Sequence, residues 1–272
     1  MKKLLTIALA IALVAVSALA LAESTKLVIG ASSTPHAEIL EAAKPLLAEK
    51  GIDLEIVIFD DYVQPNLQLD AGDLDANYFQ HIPYLENFNA ENGTKLAVLG
   101  AVHYEPMGIY ANPKKPVTVA DVPDGASVAV PNDTTNELRA LQLLVAQGLL
   151  ASLPAAADGA ELTLTAADLS AENNPKKLEI VEVEAAQVPR TLADTDLAVI
   201  NSNYALEALK SGAVALEAAI AVEGTDISYP NVVAIREGDD RPELQTLIEV
   251  LQSEDIINFI TETYGTAVVP TK

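Results

Sequence analysis

The feature that most constrains the fold is an alternation of short apolar strands with amphipathic helices. Lys26 to Gly30 (KLVIG) predicts a strand, apolar residues recur at helical spacing from His36 to Lys50, and Asp53 to Phe59 (DLEIVIF) predicts the next strand. Parallel strands need a crossover, which is usually a helix, and the sheet they form is covered by helices on its faces. The expected fold class is therefore α/β.

The alternation runs in two series that are separated by a proline-dense connector from Asn112 to Pro123. The second series begins with a predicted strand at 127–130 and a predicted helix at 134–150. A last strand at 231–236 precedes one long amphipathic helix at 242–264. We expect two α/β lobes of unequal length, with the final strand and helix returning to the first lobe.

Composition narrows the classes of partner. The chain has 272 residues, half of them hydrophobic, which is enough for a sizeable core. Its formal charge of −23 repels phosphate backbones, so nucleic acid is not an expected partner. Because the chain has no cysteine, the sequence excludes disulfides, a thiol nucleophile and thiolate metal sites.

The first 22 residues have the pattern of a signal peptide. Lys2 and Lys3 precede a nearly continuous apolar run that closes on the small-x-small sequence Ala20-Leu21-Ala22. We expect cleavage after Ala22 and an exported protein, periplasmic or on the extracellular face. Since no cysteine stands at the cut, we also expect no lipid anchor. The alternative is retention of the segment as a membrane anchor, for which its length is just sufficient.

A second motif, PNDTTNELR, follows the predicted strand at 127–130. Thr134 and Glu137 have the spacing of a capping box, with Thr134 as N-cap. Asn136 and Arg139 then lie on one face near the start of the helix. A helix N-terminus beside a guanidinium suits a carboxylate. The alternative is a capped helix whose arginine is only solvated.

Aromatic residues concentrate in one part of the chain. Eight of the 12 Phe and Tyr residues lie between Phe59 and Tyr110. Asn77 to His81 (NYFQH) and His103 to Glu105 (HYE) each come at the end of a predicted strand, where α/β sheets place their ligand crevices. These residues predict a pocket for an apolar side chain. Each aromatic taken singly is also compatible with a core position.

The three histidines, His36, His81 and His103, raise the alternative of a metal site, with Asp60, Asp61 or Glu105 as a further ligand. None has the i, i+4 spacing of a helical zinc motif, so we expect each to be hydrogen bonded and structural, with no bound metal or cofactor. The sequence contains no P-loop, nucleophile elbow or Gly-x-Gly-x-x-Gly turn in a suitable context. No enzymatic function is expected.

Five collinear stretches together resemble the methionine-binding protein family of bacterial ABC importers, of the NlpA/MetQ type. They are Asp61 to Leu85, His103 to Tyr110, Val128 to Leu144, Asn174 to Ala205 and Tyr229 to Glu237. The resemblance implies a type II-like periplasmic-binding-protein fold with the ligand in the cleft between two lobes. It places lobe 1 at 23–109 plus 229–272 and lobe 2 at 110–228.

The resemblance further implies a monomer that captures methionine and delivers it to a membrane permease. Arg139 and Asn136 are expected at the ligand carboxylate, and Asn201, Asn231 and Glu105 at the ammonium group. The remaining expected site residues surround the side chain: Tyr62, Asn77, Tyr78, Phe79, His81, His103 and Tyr104. The alternatives are a divalent-metal solute-binding protein, a surface protein that binds another apolar amino acid, or an exported enzyme that uses the same fold.

Overall fold

The computed structural model describes residues 24–154, 164–212, 218–224 and 229–271. The predicted signal peptide, residues 1–22, lies outside them. The N-terminal part builds most of one sheet and its helices. Its elements are β1 (Thr25–Ala31), α1 (Glu38–Glu49), β2 (Ile52–Ile58), α2 (Gln64–Ala71), β3 (Ala76–His81), α3 (Ile82–Asn92) and β4 (Leu96–Tyr104).

The middle of the chain builds a second sheet. Its elements are β5 (Gly108–Ala111), β6 (Ser127–Pro131), α4 (Thr134–Ala146), β7 (Glu179–Val183), α5 (Val188–Thr191), β8 (Leu197–Ile200), α6 (Ser202–Ser211) and β9 (Ala221–Val222). The strand order is β7-β6-β8-β5-β9. β6 is parallel to β7 and β8, whereas β5 is antiparallel to its neighbours β8 and β9.

The C-terminal part returns to the first sheet through β10 (Pro230–Arg236), α7 (Pro242–Leu251), α8 (Glu254–Tyr264) and β11 (Val269–Pro270). The six-stranded order is β11-β4-β10-β3-β1-β2, with β10 antiparallel to both β3 and β4. The prediction of a single helix over 242–264 is wrong. Ser253 is extended, with φ −73° and ψ 159°, and separates α7 from α8.

The chain passes between the sheets twice, through Glu105–Met107 and between Val222 and Pro230. We call each sheet with its helices a lobe, the first lobe being the one that contains both ends of the described chain. The first crossing precedes Gly108, so Ile109, assigned from the sequence to lobe 1, lies on a strand of the second sheet. The boundaries 23–109 plus 229–272 and 110–228 otherwise stay a prediction.

Each lobe has its own hydrophobic core. In the first, Leu27 and Ile29 of β1 pack with α1, α7 and α8. In the second, Val128 and Val130 of β6 pack against Leu141 and Leu144 of α4. These strands are buried on both faces, which explains why they read as continuous apolar runs. Within the described ranges, no helix is long and apolar enough to cross a membrane.

Candidate functional site

A cavity with about 330 Å³ of empty space, part of it open to solvent, lies between the two lobes. The first lobe, the first crossing and the second lobe all contribute to its wall, so the lobes must come together to form it. Its lining residues are Tyr62, Phe79, Gln80, His81, Tyr84, Glu105, Asn136, Arg139, Asn201, Ser202, Asn203 and Asn231. Most of the residues predicted from the sequence are among them.

One wall of the cavity is aromatic. The ring of Tyr62 lies 5.7 Å from that of Phe79 and 5.7 Å from that of Tyr84, measured between centroids. The Tyr62 hydroxyl donates to Asn203 Oδ1 of the second lobe at 2.6 Å. This wall therefore offers an apolar surface while one of its members also joins the two lobes.

The start of α4 brings a polar group to the opposite wall, although not with the predicted cap. Asp133, not Thr134, is the N-cap, and its carboxylate accepts from the backbone N–H of Asn136 at 3.0 Å. Thr134 is instead the first helical residue. Glu137 does not close a capping box, because its Oε1 accepts from the Ala166 N–H at 2.6 Å. Both acidic and hydroxyl residues are good N-caps, and the sequence offers two in succession.

Asn136 connects residues from three parts of the site. Its Oδ1 accepts from Asn201 Nδ2 at 2.7 Å and lies 3.1 Å from His81 Nε2, while its Nδ2 donates to Asp133. Burial lowers the pKa of His81 to about 3, so the ring is neutral at neutral pH. A neutral His81 that donates from Nε2 to Asn136 accepts at Nδ1 from the Tyr84 N–H.

Arg139 is 4% exposed and is held by an acidic residue of the second crossing. Its Nε donates to Glu223 Oε1 at 2.8 Å and its Nη2 to Glu223 Oε2 at 2.6 Å. Nη2 also donates to the Glu105 carbonyl at 2.6 Å, and the guanidinium lies 4.5 Å from the centroid of the Tyr229 ring. Within the described chain no hydrogen bond engages Nη1, whose two donors remain for the cavity.

Glu105, on the first crossing, presents a buried carboxylate to the cavity. Its Oε1 lies 2.7 Å from His103 Nε2 and 3.3 Å from His36 Nε2. Burial raises the pKa of Glu105, and that rise is opposed by His36 when its ring is protonated and by the charge of Arg139. Burial also lowers the pKa of His36 to about 4 and that of His103 to about 3. Asn231 adds an oxygen next to this group, 2.9 Å from His36 Nε2.

Four predicted residues do not line the cavity: Asn77, Tyr78, His103 and Tyr104. Asn77 belongs to a buried amide network, donating from Nδ2 to Asn66 Oδ1 at 2.8 Å. Tyr78 hydrogen bonds through its hydroxyl to His103 Nδ1. Tyr104 lies at the end of β4, paired with Pro230 and Val269. Every residue of β3 is buried, so no alternation along the strand indicates which of its faces meets the cleft.

Five further residues at the site escaped sequence analysis: Gln80, Tyr84, Ser202, Asn203 and Glu223. Ser202 and Asn203 directly follow Asn201, which is the N-cap of α6. Three polar residues in a row where a buried strand meets a helix indicate a ligand site, as NYFQH does at the end of β3. The sequence around Glu223 has no periodic pattern that would indicate a site. Glu223 meets Arg139 only because the chain folds back between the lobes.

With this geometry in place, comparison with known proteins identifies the family. The family model described as NlpA lipoprotein matches residues 27–272. The chain belongs to the NlpA lipoprotein family. Membership agrees with the resemblance that the five sequence stretches indicated.

Two relatives are similar to this chain along most of its length. The methionine-binding lipoprotein MetQ of Bacillus subtilis is 39% identical, over 92% of this chain and 90% of the relative. Outer membrane lipoprotein 3 of Mannheimia haemolytica is 37% identical, over 91% and 90%.

Solved structures support the fold. A nutrient-binding protein from Burkholderia cenocepacia bound to methionine has a TM-score of 0.82 at 39% identity, covering 90% of this chain and all of that one. A periplasmic substrate-binding protein of an ABC transporter from Coxiella burnetii has a TM-score of 0.80 at 37% identity, with 90% of this chain and 100% of that chain covered. The predicted two-lobe α/β fold is thereby confirmed.

The predicted localisation, in contrast, is wrong. We expected an exported protein without a lipid anchor because the chain has no cysteine. The NlpA relatives are named as lipoproteins, among them the outer membrane lipoprotein of M. haemolytica and membrane lipoprotein TpN32 of Treponema pallidum. These names contradict the expectation of a protein without a lipid anchor. We draw no conclusion about the anchor from the absence of cysteine.

Proposed function

We propose that this protein is the solute-binding component of an ABC importer and binds methionine in the cavity between its lobes. The observation that carries the proposal is a cavity with an aromatic wall on one side and a buried arginine and carboxylate on the other. The methionine-bound relative from B. cenocepacia, with the same fold, supports the choice of ligand.

The carboxylate of the amino acid binds to Arg139. Glu223 occupies Nε and Nη2 of the guanidinium and fixes its plane, which leaves the Nη1 donors for the ligand. Asn136 adds a side-chain amide at the start of α4. Charge-assisted hydrogen bonds of this kind are stronger than neutral ones, particularly in a site that excludes water.

The ammonium group binds to acceptors on the first crossing, at the start of α6 and on β10. Glu105 supplies a carboxylate, and the amide oxygens of Asn201 and Asn231 supply neutral acceptors. Asn201 Oδ1 is buried and has no hydrogen-bond partner among the described residues, which supports its role as an acceptor for a ligand.

The thioether side chain packs against Tyr62, Phe79 and Tyr84. Sulfur next to aromatic rings gains about 0.3–1.5 kcal/mol per contact beyond burial of its area. His81 is neutral and completes this wall without adding a charge. An apolar ligand side chain is therefore favoured over a charged one of similar length.

Burial of the ligand and closure of the lobes occur together. A permease that recognises the closed lobes therefore receives a protein with its ligand bound. We propose a monomer that makes and breaks no bond in its ligand. The alternatives, a divalent-metal carrier and a binder of another apolar amino acid, are outcomes of the test below.

The test is a thermal-shift panel of L-methionine, its sulfur-free analogue L-norleucine, L-leucine, L-lysine, L-glutamate and Zn²⁺. At a hundredfold excess over Kd, a ligand adds about 2.7 kcal/mol to the unfolding free energy. We expect L-methionine to raise Tm by about 5–10 °C and L-norleucine by less, with no rise from lysine or glutamate. A larger rise with a charged amino acid, or no rise with any apolar one, would contradict the proposal.

A further inference from the structure

Two of the three histidines in the chain meet one carboxylate. His36 follows β1, His103 lies near the end of β4, and Glu105 begins the first crossing. His103 and Glu105 are 67 and 69 residues from His36 in the sequence, so no spacing rule joins them. The order of the first sheet does so, because the ends of β1, β3 and β4 lie beside the start of β10.

We propose that His36, His103 and Glu105 form a binding site for a divalent transition metal, with Zn²⁺ as the type case. One ligand atom from each residue lies within 4.8 Å of the other two. Glu105 Oε1 is 3.3 Å from His36 Nε2 and 2.7 Å from His103 Nε2. Tetrahedral Zn²⁺ with bonds of about 2.0–2.1 Å needs donor atoms about 3.4 Å apart. Shifts below about one ångström therefore convert the cluster into a coordination site.

The donor set selects the class of metal. Two imidazoles and one carboxylate suit Zn²⁺, Co²⁺ and Ni²⁺, whereas Mg²⁺ and Ca²⁺ prefer oxygen ligands alone. Three protein ligands leave one position open, as in zinc sites that bind a water or a substrate. Glu105 lines the cavity between the lobes, which places one of the three ligands at the cleft.

A supporting residue orients one ligand. The hydroxyl of Tyr78 hydrogen bonds to Nδ1 of His103, which leaves Nε2 directed at Glu105. Metal-bound histidines characteristically use their second nitrogen in this way. Tyr78, His36 and His103 are all at most 1% exposed, so their positions are fixed by packing.

The cluster also has a simpler interpretation, in which His103 only donates a hydrogen bond to Glu105 and His36 only donates one to Asn231. The two interpretations differ in what they predict for an added metal ion. Only in a metal site does the ion become coordinated by histidine nitrogens. The distinction does not depend on which amino acid the cleft binds, because metal binding is measured without amino acid. Failure of the metal site would leave the proposed function untouched, and failure of methionine binding would leave the metal site untouched.

The experiment titrates Co²⁺ into the purified, chelator-treated protein and records visible absorption, followed by displacement with Zn²⁺ in a calorimeter. Surface carboxylates of this acidic chain give octahedral Co²⁺, which absorbs weakly. We expect one equivalent of Co²⁺ to produce the intense bands of a four- or five-coordinate ion, and Zn²⁺ to abolish them. Absence of such bands from the wild-type protein would overturn the proposal, whatever the variants do.

The variants use the third histidine as a control. His103→Gln and Glu105→Gln each remove a ligand and should abolish the bands. Tyr78→Phe keeps all three ligands and should weaken metal binding about 10–100-fold. His81→Gln removes an equally buried imidazole without contact to Glu105 and should leave the bands unchanged. Loss of the bands in His81→Gln, or their persistence in folded His103→Gln, would also overturn the proposal.

Discussion

The ring of Phe79 contributes to the cavity only through packing, since it lies 5.7 Å from the ring of Tyr62 and 6.0 Å from that of Tyr84. Phe79→Ala removes one side of the pocket for the thioether and leaves Arg139 and Glu105 in place. We expect weaker binding of L-methionine in calorimetry, by at least about tenfold, because burial of most of a side chain is worth 1.5–3 kcal/mol.

Phe88→Ala is the matched control for Phe79→Ala. Phe88 packs against the same Tyr84 ring, at 6.3 Å, but does not line the cavity. Both variants lose stability through the cavity that truncation leaves. Equal affinity losses in the two folded variants would remove Phe79 from the binding wall.

At the scale of single residues, position in a strand decides which of the predicted residues line the cavity. Phe79 and His81 reach the cavity, as expected from a polar and aromatic run at a strand end. Tyr78 and His103 pair with each other beneath it. Since β3 is buried on both faces, its sequence has no period of two that distinguishes the cleft side from the core side.

At the scale of elements, the N-terminus of α4 joins helix stability to the site. The Asp133 carboxylate caps the helix and holds the Asn136 amide at 2.9 and 3.0 Å. Asp133→Ala should cost about 0.5–2 kcal/mol in unfolding free energy. It should also weaken methionine binding, because Asn136 loses its orientation. Urea unfolding and calorimetry measure the two effects.

Ser253→Ala is the control for that cap. Ser253 is the N-cap of α8, yet its side chain makes no capping hydrogen bond, and its Oγ is buried with no partner among the described residues. Removal of this hydroxyl should therefore cost less stability than removal of the Asp133 carboxylate. A cost from Ser253→Ala as large as that from Asp133→Ala would contradict the assignment of caps.

Glu137, also on α4, should give the stability a pH dependence. Burial raises its pKa from 4.5 to about 7, with Glu182 nearby. Between those values the folded state binds more protons than the unfolded state, so the unfolding free energy falls as pH rises. In Glu137→Gln the side-chain amide oxygen still accepts from the Ala166 N–H, but the side chain no longer titrates. The advantage of Glu137→Gln over wild type should therefore grow from pH 4.5 to pH 7 in denaturant unfolding, and a constant difference would contradict the shift.

Element types were largely predictable, and the exceptions have local causes. The helix expected over 242–264 is broken because Ser253, followed by Glu254 and Asp255, starts a new helix. This is a recognisable N-cap signal that the continuous apolar stripe obscured. β9 and β11 have two residues each, too few to show a periodic pattern.

At the scale of the whole molecule, we expect contacts between the lobes to affect ligand affinity. The Tyr204 hydroxyl of the second lobe donates to the Asp60 carbonyl of the first at 3.0 Å, outside the cavity lining. Tyr204→Phe should destabilise the joined lobes by about 1 kcal/mol and weaken methionine binding about fivefold. Tyr110→Phe, on β5 within the second lobe, is the control and should bind as wild type. Equal affinities in the two variants would contradict the role of this contact.

The two-sheet plan followed from the alternation of strands and helices, but the ion pair at its centre did not. Arg139 and Glu223 are 84 residues apart and meet only because the chain crosses between the lobes twice. The sequence predicted that Arg139 faces a carboxylate. The structure shows Glu223, a carboxylate of the chain itself, bound to Nε and Nη2, and the proposal assigns Nη1 to the ligand.

The central claim is that Arg139 holds the carboxylate of methionine. The most direct test titrates L-methionine and L-methioninol, which lacks the carboxylate, into wild type and Arg139→Ala. Loss of a buried charged partner should cost about 2–5 kcal/mol of methionine affinity. Methioninol should bind wild type poorly and lose little more in the variant, which gives a large coupling energy in the double-mutant cycle. Additive losses would contradict the claim and place the ligand carboxylate elsewhere in the cleft.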